Sequence, residues 1–110
     1  MKSSTLRVKD DGNKNMKTSA TYIITNKKYG TLYIGVTSDL ASRIYQHKNK
    51  VIKGFSSKYN LDKLVHYEIF EDINEAIYRE KKLKHFLRKE KIDLIELTNP
   101  QWQDLYEEIL

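Results

Sequence analysis

The sequence predicts an α+β domain in which a three-stranded antiparallel sheet is flanked by helices. The segments ATYIIT (20–25) and TLYIGV (31–36) are short, β-branched and aromatic, and the turn residues between them end at Gly30. This pattern predicts an antiparallel hairpin. The segment KLVHYEIF (63–70) alternates apolar and polar residues and predicts a third strand. Helical spacing in the intervening and following segments predicts the helices that cover the sheet.

Helix signals follow both the hairpin and the third strand. Side-chain oxygens at residues 37–39 offer N-caps to a first helix, LASRIYQHK (40–48). A second helix begins near Asp72 or Asn74, and the segment KIDLIEL (91–97) predicts a shorter helical piece. The predicted order is therefore β-β-α-β-α, followed by small C-terminal helices.

The C-terminal segment predicts one more helix. Asparagine is a good N-cap and proline is tolerated in the first turn, so Asn99 and Pro100 predict its start. Apolar residues then repeat at helical spacing at Trp102, Leu105, Tyr106 and Ile109. We interpret Trp102 as a core residue rather than a platform for stacking bases.

Length and composition bound the class of protein. The chain has 110 residues, of which 39% are hydrophobic and 32% charged, as in a soluble globular protein with one core. Residues 1–18 are polar and aperiodic and are interpreted as a flexible tail, so 19–110 form the single domain. No apolar run approaches the roughly 18 residues of a membrane span, and the N-terminus lacks a signal peptide pattern.

The chain contains no cysteine. This excludes disulfide frameworks, thiolate zinc sites and cysteine nucleophiles. A reducing compartment fits that composition, and we expect the protein to be cytoplasmic.

One long stretch of the chain carries basic residues and no acidic ones. The net charge is +5, and the segment from Leu40 to Leu61 contains no acidic residue. Phe55 and Tyr59 lie within this segment, where an aromatic ring can stack on an unpaired base. The predicted nucleic-acid contacts are Arg43, Lys48, Lys50, Lys53 and Lys58. The alternative is a solvated lysine-rich surface with no ligand.

Glu80 conflicts with the helix that carries it. At roughly 100° per residue the carboxylate projects into the middle of an apolar stripe, which consists of Ile73, Ala76, Ile77, Leu83 and Leu87. Burial there costs several kcal/mol unless the carboxylate is paired or bound to a metal. Three explanations remain open: an ion pair with Arg43, a site that opens to solvent, or a cleft that binds a metal intermittently.

A set of polar groups elsewhere suits phosphoester hydrolysis. Tyr22 and Tyr33 can be neighbours across the predicted hairpin, although strands favour aromatic residues in any case. Arg43 and His47 are four residues apart and share one helix face. A carboxylate such as Glu80 can hold a divalent metal, a guanidinium can bind phosphate, and tyrosine or histidine can relay a proton.

These residues, in this order, resemble the GIY-YIG nucleases over about residues 20–105. The resemblance is closest to the small stand-alone bacterial proteins of that superfamily, which also includes the N-terminal cutting module of bacterial excinuclease. The matching features are LYIGVTSDL (32–40), Arg43, His47, Arg79-Glu80, Asn99-Pro100 and Trp102.

The resemblance implies one active site with a single Mg²⁺ or Mn²⁺ ion bound by Glu80. It implies that Tyr33 helps to activate the attacking water or acts as general base, and that Arg43 stabilises the developing negative charge. Tyr22 and His47 would form hydrogen bonds around the water and the phosphate. Asn99 is included as a site residue as well, with the alternative that it only caps a helix.

Two positions depart from the family pattern. The first motif reads Ala20-Thr21-Tyr22, so only its tyrosine is kept. Val36 stands where the excinuclease module has a lysine, so one phosphate contact is missing. Substrate and cutting efficiency are therefore left open.

Three functional hypotheses follow. The first is a metal-dependent DNA endonuclease, structure-selective or non-specific, with a role in DNA repair or recombination and with RNA as an alternative substrate. The second is a non-catalytic nucleic-acid-binding module that retains the fold. The third is a partner-binding protein that docks through the helix WQDLYEEIL (102–110). For the first we expect a monomer or weak dimer, no membrane contact, and a protein partner that supplies specificity.

Overall fold

Three antiparallel strands form the centre of the fold. The computed structural model describes residues 17–110, so the predicted tail lies outside the described residues except for its last two positions. The strands are β1 (Ser19–Thr25), β2 (Leu32–Thr37) and β3 (Lys63–Phe70), in the spatial order β2-β1-β3. These bounds confirm the three predicted strands to within one residue for the hairpin.

Helices connect and cover the strands. They are α1 (Leu40–Lys48), α2 (Phe55–Lys58), α3 (Ile73–Lys84), α4 (Arg88–Thr98) and a 3₁₀ helix (Tyr106–Ile109). The side chain of Asp39 accepts a hydrogen bond at the start of α1, and that of Asp72 does so at the start of α3. Capping by these carboxylates satisfies backbone N–H groups that have no partner inside the helix. The predicted α+β class is confirmed.

The central strand β1 is covered on both faces. Because successive side chains of a strand point to opposite sides, Tyr22 and Ile24 pack into one apolar cluster while Ile23 packs into another. The first cluster contains Leu40 and Ile44 of α1. The second contains Leu83 of α3, and Ile95 and Trp102. The sheet therefore separates two cores, with α1 on one side and α3 and α4 on the other.

The prediction of a helix starting at Asn99 is wrong. Asn99 follows the last residue of α4, as its C-cap, and its backbone N–H donates to the carbonyl of Ile95. The chain then turns through Trp102, whose φ of 56° is incompatible with a right-handed helix. The only helical turn that follows among residues 99–110 is the 3₁₀ helix Tyr106–Ile109.

Trp102 is buried, as predicted. Its exposed fraction is 5%, it belongs to the second core, and its indole N–H donates to Glu96 at 2.8 Å. The largest apolar side chain of the segment WQDLYEEIL is therefore buried in the fold. The hypothesis of a docking helix loses its main support.

Among residues 17–110, no helix has both the length and the apolar composition needed to cross a membrane.

Candidate active site

Tyr22 lies at the centre of the site, and Gly35 makes room for it. The two residues are directly paired across β1 and β2. Tyr22 is 1% exposed, and a Cβ built on Gly35 would overlap the Cζ and hydroxyl atoms of its phenol ring. The glycine of the Tyr33-Ile34-Gly35 motif is therefore a steric requirement, because any side chain there would displace the tyrosine.

Helix α1 brings His47 onto the phenol. The Tyr22 hydroxyl and His47 Nε2 are 2.8 Å apart, and the two rings meet edge to face with centroids 5.6 Å apart. The ring of Tyr33 lies on the same imidazole, with a centroid distance of 5.8 Å. His47 Nδ1 is 3.0 Å from the hydroxyl of Ser56, at the start of α2. The chain Tyr22–His47–Ser56 is thus a buried hydrogen-bonded row.

The electrostatics of Tyr22 link four of the predicted residues. Burial raises the pKa of Tyr22 to about 12, and the neighbouring charges of Tyr33 and Glu80 act in the same direction. A hydrogen bond from Arg43 and its positive charge act in the opposite direction. Tyr22 therefore stays protonated at neutral pH, and Glu80 lies within electrostatic reach of the phenol.

His47 is neutral at physiological pH. Burial lowers its pKa to about 4, and the positive charge of Arg43 adds to this effect. A neutral imidazole carries one donor and one acceptor nitrogen. It can therefore transmit a hydrogen bond between Ser56 and Tyr22 without holding a charge.

Glu80 is nearly buried and is paired along its own helix. Its exposed fraction is 9%, and Lys84 Nζ contacts its Oε2 at 2.6 Å. The observed partner is therefore Lys84, one turn further along α3, and not Arg43, which was one of the three explanations left open by the sequence. The Lys84 side chain is 55% exposed. It can move into solvent and leave the carboxylate oxygen free.

Two sets of bonds hold α3 in place around Glu80. The buried hydroxyl of Thr21 donates to the carbonyl of Ala76 at 2.6 Å, which ties the helix to β1. Arg79 donates two hydrogen bonds to Glu68 of β3, at 2.7 and 3.1 Å. Thr21 is one of the departures from the family motif, and here its hydroxyl positions the helix that carries Glu80.

The ionised form of the Glu68 carboxylate is stabilised by its neighbours. Burial alone would raise its pKa, but hydrogen bonds from His66 and Arg79 outweigh burial and lower it to about 2. The His66 contact measures 2.8 Å. This ion-pair network anchors the outer strand β3 to α3, the helix that carries Glu80.

The donor set suits a hard divalent cation held mainly by its substrate. Among the described residues, no group of three or more histidine, aspartate or glutamate side chains could hold a metal. Glu80 would supply one carboxylate oxygen. Mg²⁺ commonly binds through one or two carboxylates, with water and substrate phosphate completing the shell. Glu80 fits that pattern once Lys84 leaves it.

The hydrogen bonds described for the Asn99 side chain join it to Val65 and Gln103, and none of them reaches Tyr22 or His47. Its amide donates to the carbonyls of Val65 and Gln103 at 3.1 and 2.9 Å, and its Oδ1 accepts from the Gln103 N–H. The side chain is 4% exposed. These bonds fasten the turn after α4 to β3, so we assign Asn99 a structural role.

The predicted lysines divide into two groups. Lys48 forms an ion pair with Asp104 and donates to the carbonyl of Asp62 at 2.8 Å, so it holds the C-terminal segment to the fold. Lys50 donates to the side chain of Asn60. Lys53 precedes α2 and Lys58 is its last residue, and both are exposed. No bond described for these two lysines ties them to another side chain's oxygen.

Sequence reasoning missed two residues of the site. Ser56 lies nine positions from His47 across an irregular loop, and no spacing in the sequence indicates their contact. Lys84, in contrast, follows Glu80 at i+4, and helical spacing alone could have identified the pair.

Comparison with known proteins shows which family the chain matches. The family described as GIY-YIG catalytic domain matches residues 18–93. A UPF0213 protein of Staphylococcus saprophyticus is 37% identical over 76 residues, covering 66% of this chain and 88% of that protein. A UPF0213 protein of Clostridium perfringens is 35% identical over 83 residues, covering 72% and 85%.

A solved structure is also similar. It is the solution NMR structure of a UPF0213 protein from Bacillus halodurans, with 26% sequence identity and a TM-score of 0.50. The similarity covers 79% of this chain and 92% of that one. The sheet and its flanking helices are therefore shared with that relative.

Proposed function

This chain belongs to the GIY-YIG family, alongside the small stand-alone UPF0213 proteins, and we propose that it is a metal-dependent endonuclease acting on DNA. One observation carries the proposal. Tyr22 is hydrogen-bonded to His47, and its pKa responds to Tyr33, Arg43 and Glu80. Four groups whose chemistry suits phosphodiester hydrolysis therefore lie within hydrogen-bonding or electrostatic reach of the Tyr22 phenol, and this supports the proposal.

The protonation states support these roles for the protein groups. Tyr22, with a pKa of about 12, keeps its proton, and the tautomer of His47 with a proton on Nε2 leaves the phenol proton free to orient a water or a phosphate oxygen. Tyr33 is less buried and is the group we propose to receive the proton of the attacking water. Arg43 binds the phosphate and stabilises the negative charge that develops in the transition state.

Glu80 is the group we propose to bind the divalent ion, Mg²⁺ or Mn²⁺. Bound there, such an ion would polarise the phosphate and stabilise developing charge. Lys84 neutralises the carboxylate while no ion is bound, which lowers the free energy of burying it. The Thr21 and Arg79 bonds keep the carboxylate oriented in both states.

The substrate is proposed to be DNA cut in a structure-selective or non-specific manner, in repair or recombination. The acid-free segment from Leu40 to Leu61, with exposed Lys53 and Lys58, supports contact with phosphates, which carry no sequence information. For so small a catalytic unit we propose that a protein partner adds specificity to a monomer or weak dimer. The lack of cysteine supports a cytoplasmic setting.

Cleavage of a panel of labelled substrates tests the proposal. Single-stranded, duplex, nicked, flapped and branched DNA, with RNA in parallel, would be incubated with Mg²⁺ or Mn²⁺ and with EDTA. We expect Glu80→Gln to reduce metal-dependent cleavage at least about 100-fold, because it removes the charge that binds the ion. Glu75→Gln, an exposed position on the same helix, is the matched control. Equal cleavage by wild type and Glu80→Gln would mean a contaminating nuclease and refute the proposal.

A second function is favoured by the contact between Lys84 and Glu80. Lys84 already pairs with the Glu80 carboxylate, so the fold does not need a metal ion there. This favours a nucleic-acid-binding module that retains the fold without catalysis. In that case DNA binding would survive Tyr33→Phe and Glu80→Gln, and the wild type would show no metal-dependent cleavage on any substrate.

A further inference from the structure

We propose that Phe55 and Tyr59 form a stacking platform that selects nucleic acid with an unpaired base beside the phosphate to be cleaved. The inference rests on the proposed function, since it names the substrate class of the same site. We call these two residues the aromatic platform.

The aromatic platform continues directly from the site. The rings of Tyr33 and Phe55 are stacked, with centroids 6.4 Å apart and an angle of 24° between their planes. Phe55 in turn contacts Tyr59, with centroids 4.7 Å apart. Three rings therefore form a row that begins at the tyrosine proposed to act on the attacking water.

Both platform rings are partly exposed to solvent. Phe55 is 49% exposed and Tyr59 is 44% exposed, although each is a large ring that contacts another ring. Clustered apolar exposure of this kind marks a binding surface more often than single exposed side chains do. Tyr78, in contrast, is 65% exposed on α3, on a different element from the row.

A hydrogen bond fixes the aromatic platform relative to the site. Ser56, between the two aromatic residues in sequence, is 6% exposed and bonds to His47 Nδ1. Helix α2 is only four residues long, so this contact ties its whole length to the residues around Tyr22. Gly54 precedes it with a φ of 120°, a conformation that side-chain-bearing residues rarely adopt, and so sets the entry angle of the short helix.

The charge around the aromatic platform favours a nucleic acid as the ligand. The platform lies in the segment without acidic residues, and Lys58 Nζ lies 5.6 Å from the centre of the Tyr59 ring. Lys53 is exposed nearby in sequence. Alternating cations and exposed rings match a backbone of phosphates with bases attached, because the rings stack on bases while the lysines bind phosphate.

The stack also selects against duplex DNA. A base inside a duplex has both faces covered by its neighbours, and extruding it costs a few kcal/mol. A base in a single strand, flap or gap has a free face at no such cost. Stacking on the aromatic platform therefore favours those substrates and places the adjacent phosphate near Tyr33, Tyr22 and Arg43.

Binding without cleavage provides the test. Fluorescence anisotropy in EDTA would compare a labelled oligothymidylate, an abasic strand of the same length and a duplex of the same length. Phe55→Leu keeps apolar volume against Tyr33 while removing the ring, and Tyr59→Leu does the same at the outer position. Tyr78→Leu is the matched control for loss of an exposed aromatic residue.

Each stacked base is worth roughly 1–3 kcal/mol, which is about 5- to 150-fold in affinity. We expect Phe55→Leu to weaken oligothymidylate binding at least about 5-fold and to leave abasic-strand and duplex binding within about 2-fold. The wild type should lose a similar factor on the abasic strand. A uniform loss on all three ligands, or no loss on oligothymidylate, would overturn the aromatic platform.

The outcomes separate this inference from the proposed function. Preferential binding of unpaired bases with no metal-dependent cleavage would leave the platform standing and remove the nuclease. If Phe55→Leu cleaves single strands and duplex as the wild type does in the presence of metal, the result would support the nuclease and refute the role of the aromatic platform. Circular dichroism melting of each variant would establish that the fold is intact.

Discussion

Substitution of Gly35 by alanine tests whether the fold is built around Tyr22. The added Cβ would overlap Cζ and the hydroxyl of the Tyr22 ring and would lie 2.9 Å from its Cε1. Since Tyr22 is 1% exposed, the ring is enclosed by the core and has no open solvent to move into. It must shift toward helix α1 or leave its pocket, and either movement breaks the 2.8 Å hydrogen bond to His47.

The expected loss of stability is the sum of two terms. Overpacking a core by one methyl group costs about 1–3 kcal/mol, and leaving a buried hydrogen-bonding group unsatisfied costs about 1–3 kcal/mol more. The predicted destabilisation is therefore about 2–6 kcal/mol. For a domain of this size that lowers Tm by at least about 8 °C.

A double-mutant cycle isolates the steric cause. Thermal and urea unfolding would be measured for wild type, Gly35→Ala, Tyr22→Ala and the double variant. Tyr22→Ala removes the ring, so the Gly35→Ala change should cost less than about 1 kcal/mol in that background. Additive effects of the two substitutions, or a Gly35→Ala protein as stable as wild type, would refute the reasoning about this contact.

Three further predictions concern the ions and hydrogen bonds of the site. Lys84→Met should lower the Mn²⁺ concentration for half-maximal binding by about 1.4- to 5-fold, because it frees a Glu80 oxygen from a partly exposed ion pair. Electron paramagnetic resonance measures this binding, and unchanged or weaker binding would contradict the prediction. The free energy of unfolding should fall by up to about 3 kcal/mol as the pH drops from 6.5 toward 4. Over this range the unfolded chain binds a proton at His47, whereas the native protein does not, because the pKa of His47 in the fold is about 4. A His47→Gln variant with the same pH dependence would contradict this explanation. Ser56→Ala should reduce cleavage about 10-fold and change the tautomer ratio of the His47 ring in ¹⁵N spectra, since it removes the bond to Nδ1. Ser57→Ala is its control, and equal effects of the two would rule out the positioning role.

Local patterns predicted the secondary structure well wherever burial and periodicity agreed. The strand 63–70 and the helix 40–48 coincide with β3 and α1, because alternation and the capping Asp39 specify them locally. The prediction of a C-terminal helix starting at Asn99 was wrong because of the side chain of Asn99 itself. Asn99 has a side chain that can cap either end of a helix, and its buried bonds to Val65 and Gln103 decided which.

The site shows the same division between local and long-range information. Helical spacing identified Glu80 as misplaced for packing and could have identified Lys84 as its partner. The bond between His47 and Ser56 joins two helices through a loop, and the stack of Phe55 on Tyr33 joins a helix to a strand. Both depend on the path of the chain between them, which no local pattern specifies.

The sequence by itself determined the α+β class and the three strands, because strand alternation and helical spacing are local properties. The order of its motifs also predicts Tyr22, Tyr33, Arg43, His47 and Glu80 as one functional set. Only the tertiary structure decided that Tyr22 is the hub of that set, that Lys84 neutralises Glu80, and that Lys48 and Asn99 hold the fold together. The physical reason is burial. The pKa of Tyr22 and the fit of its ring over Gly35 depend on which distant groups exclude water around it.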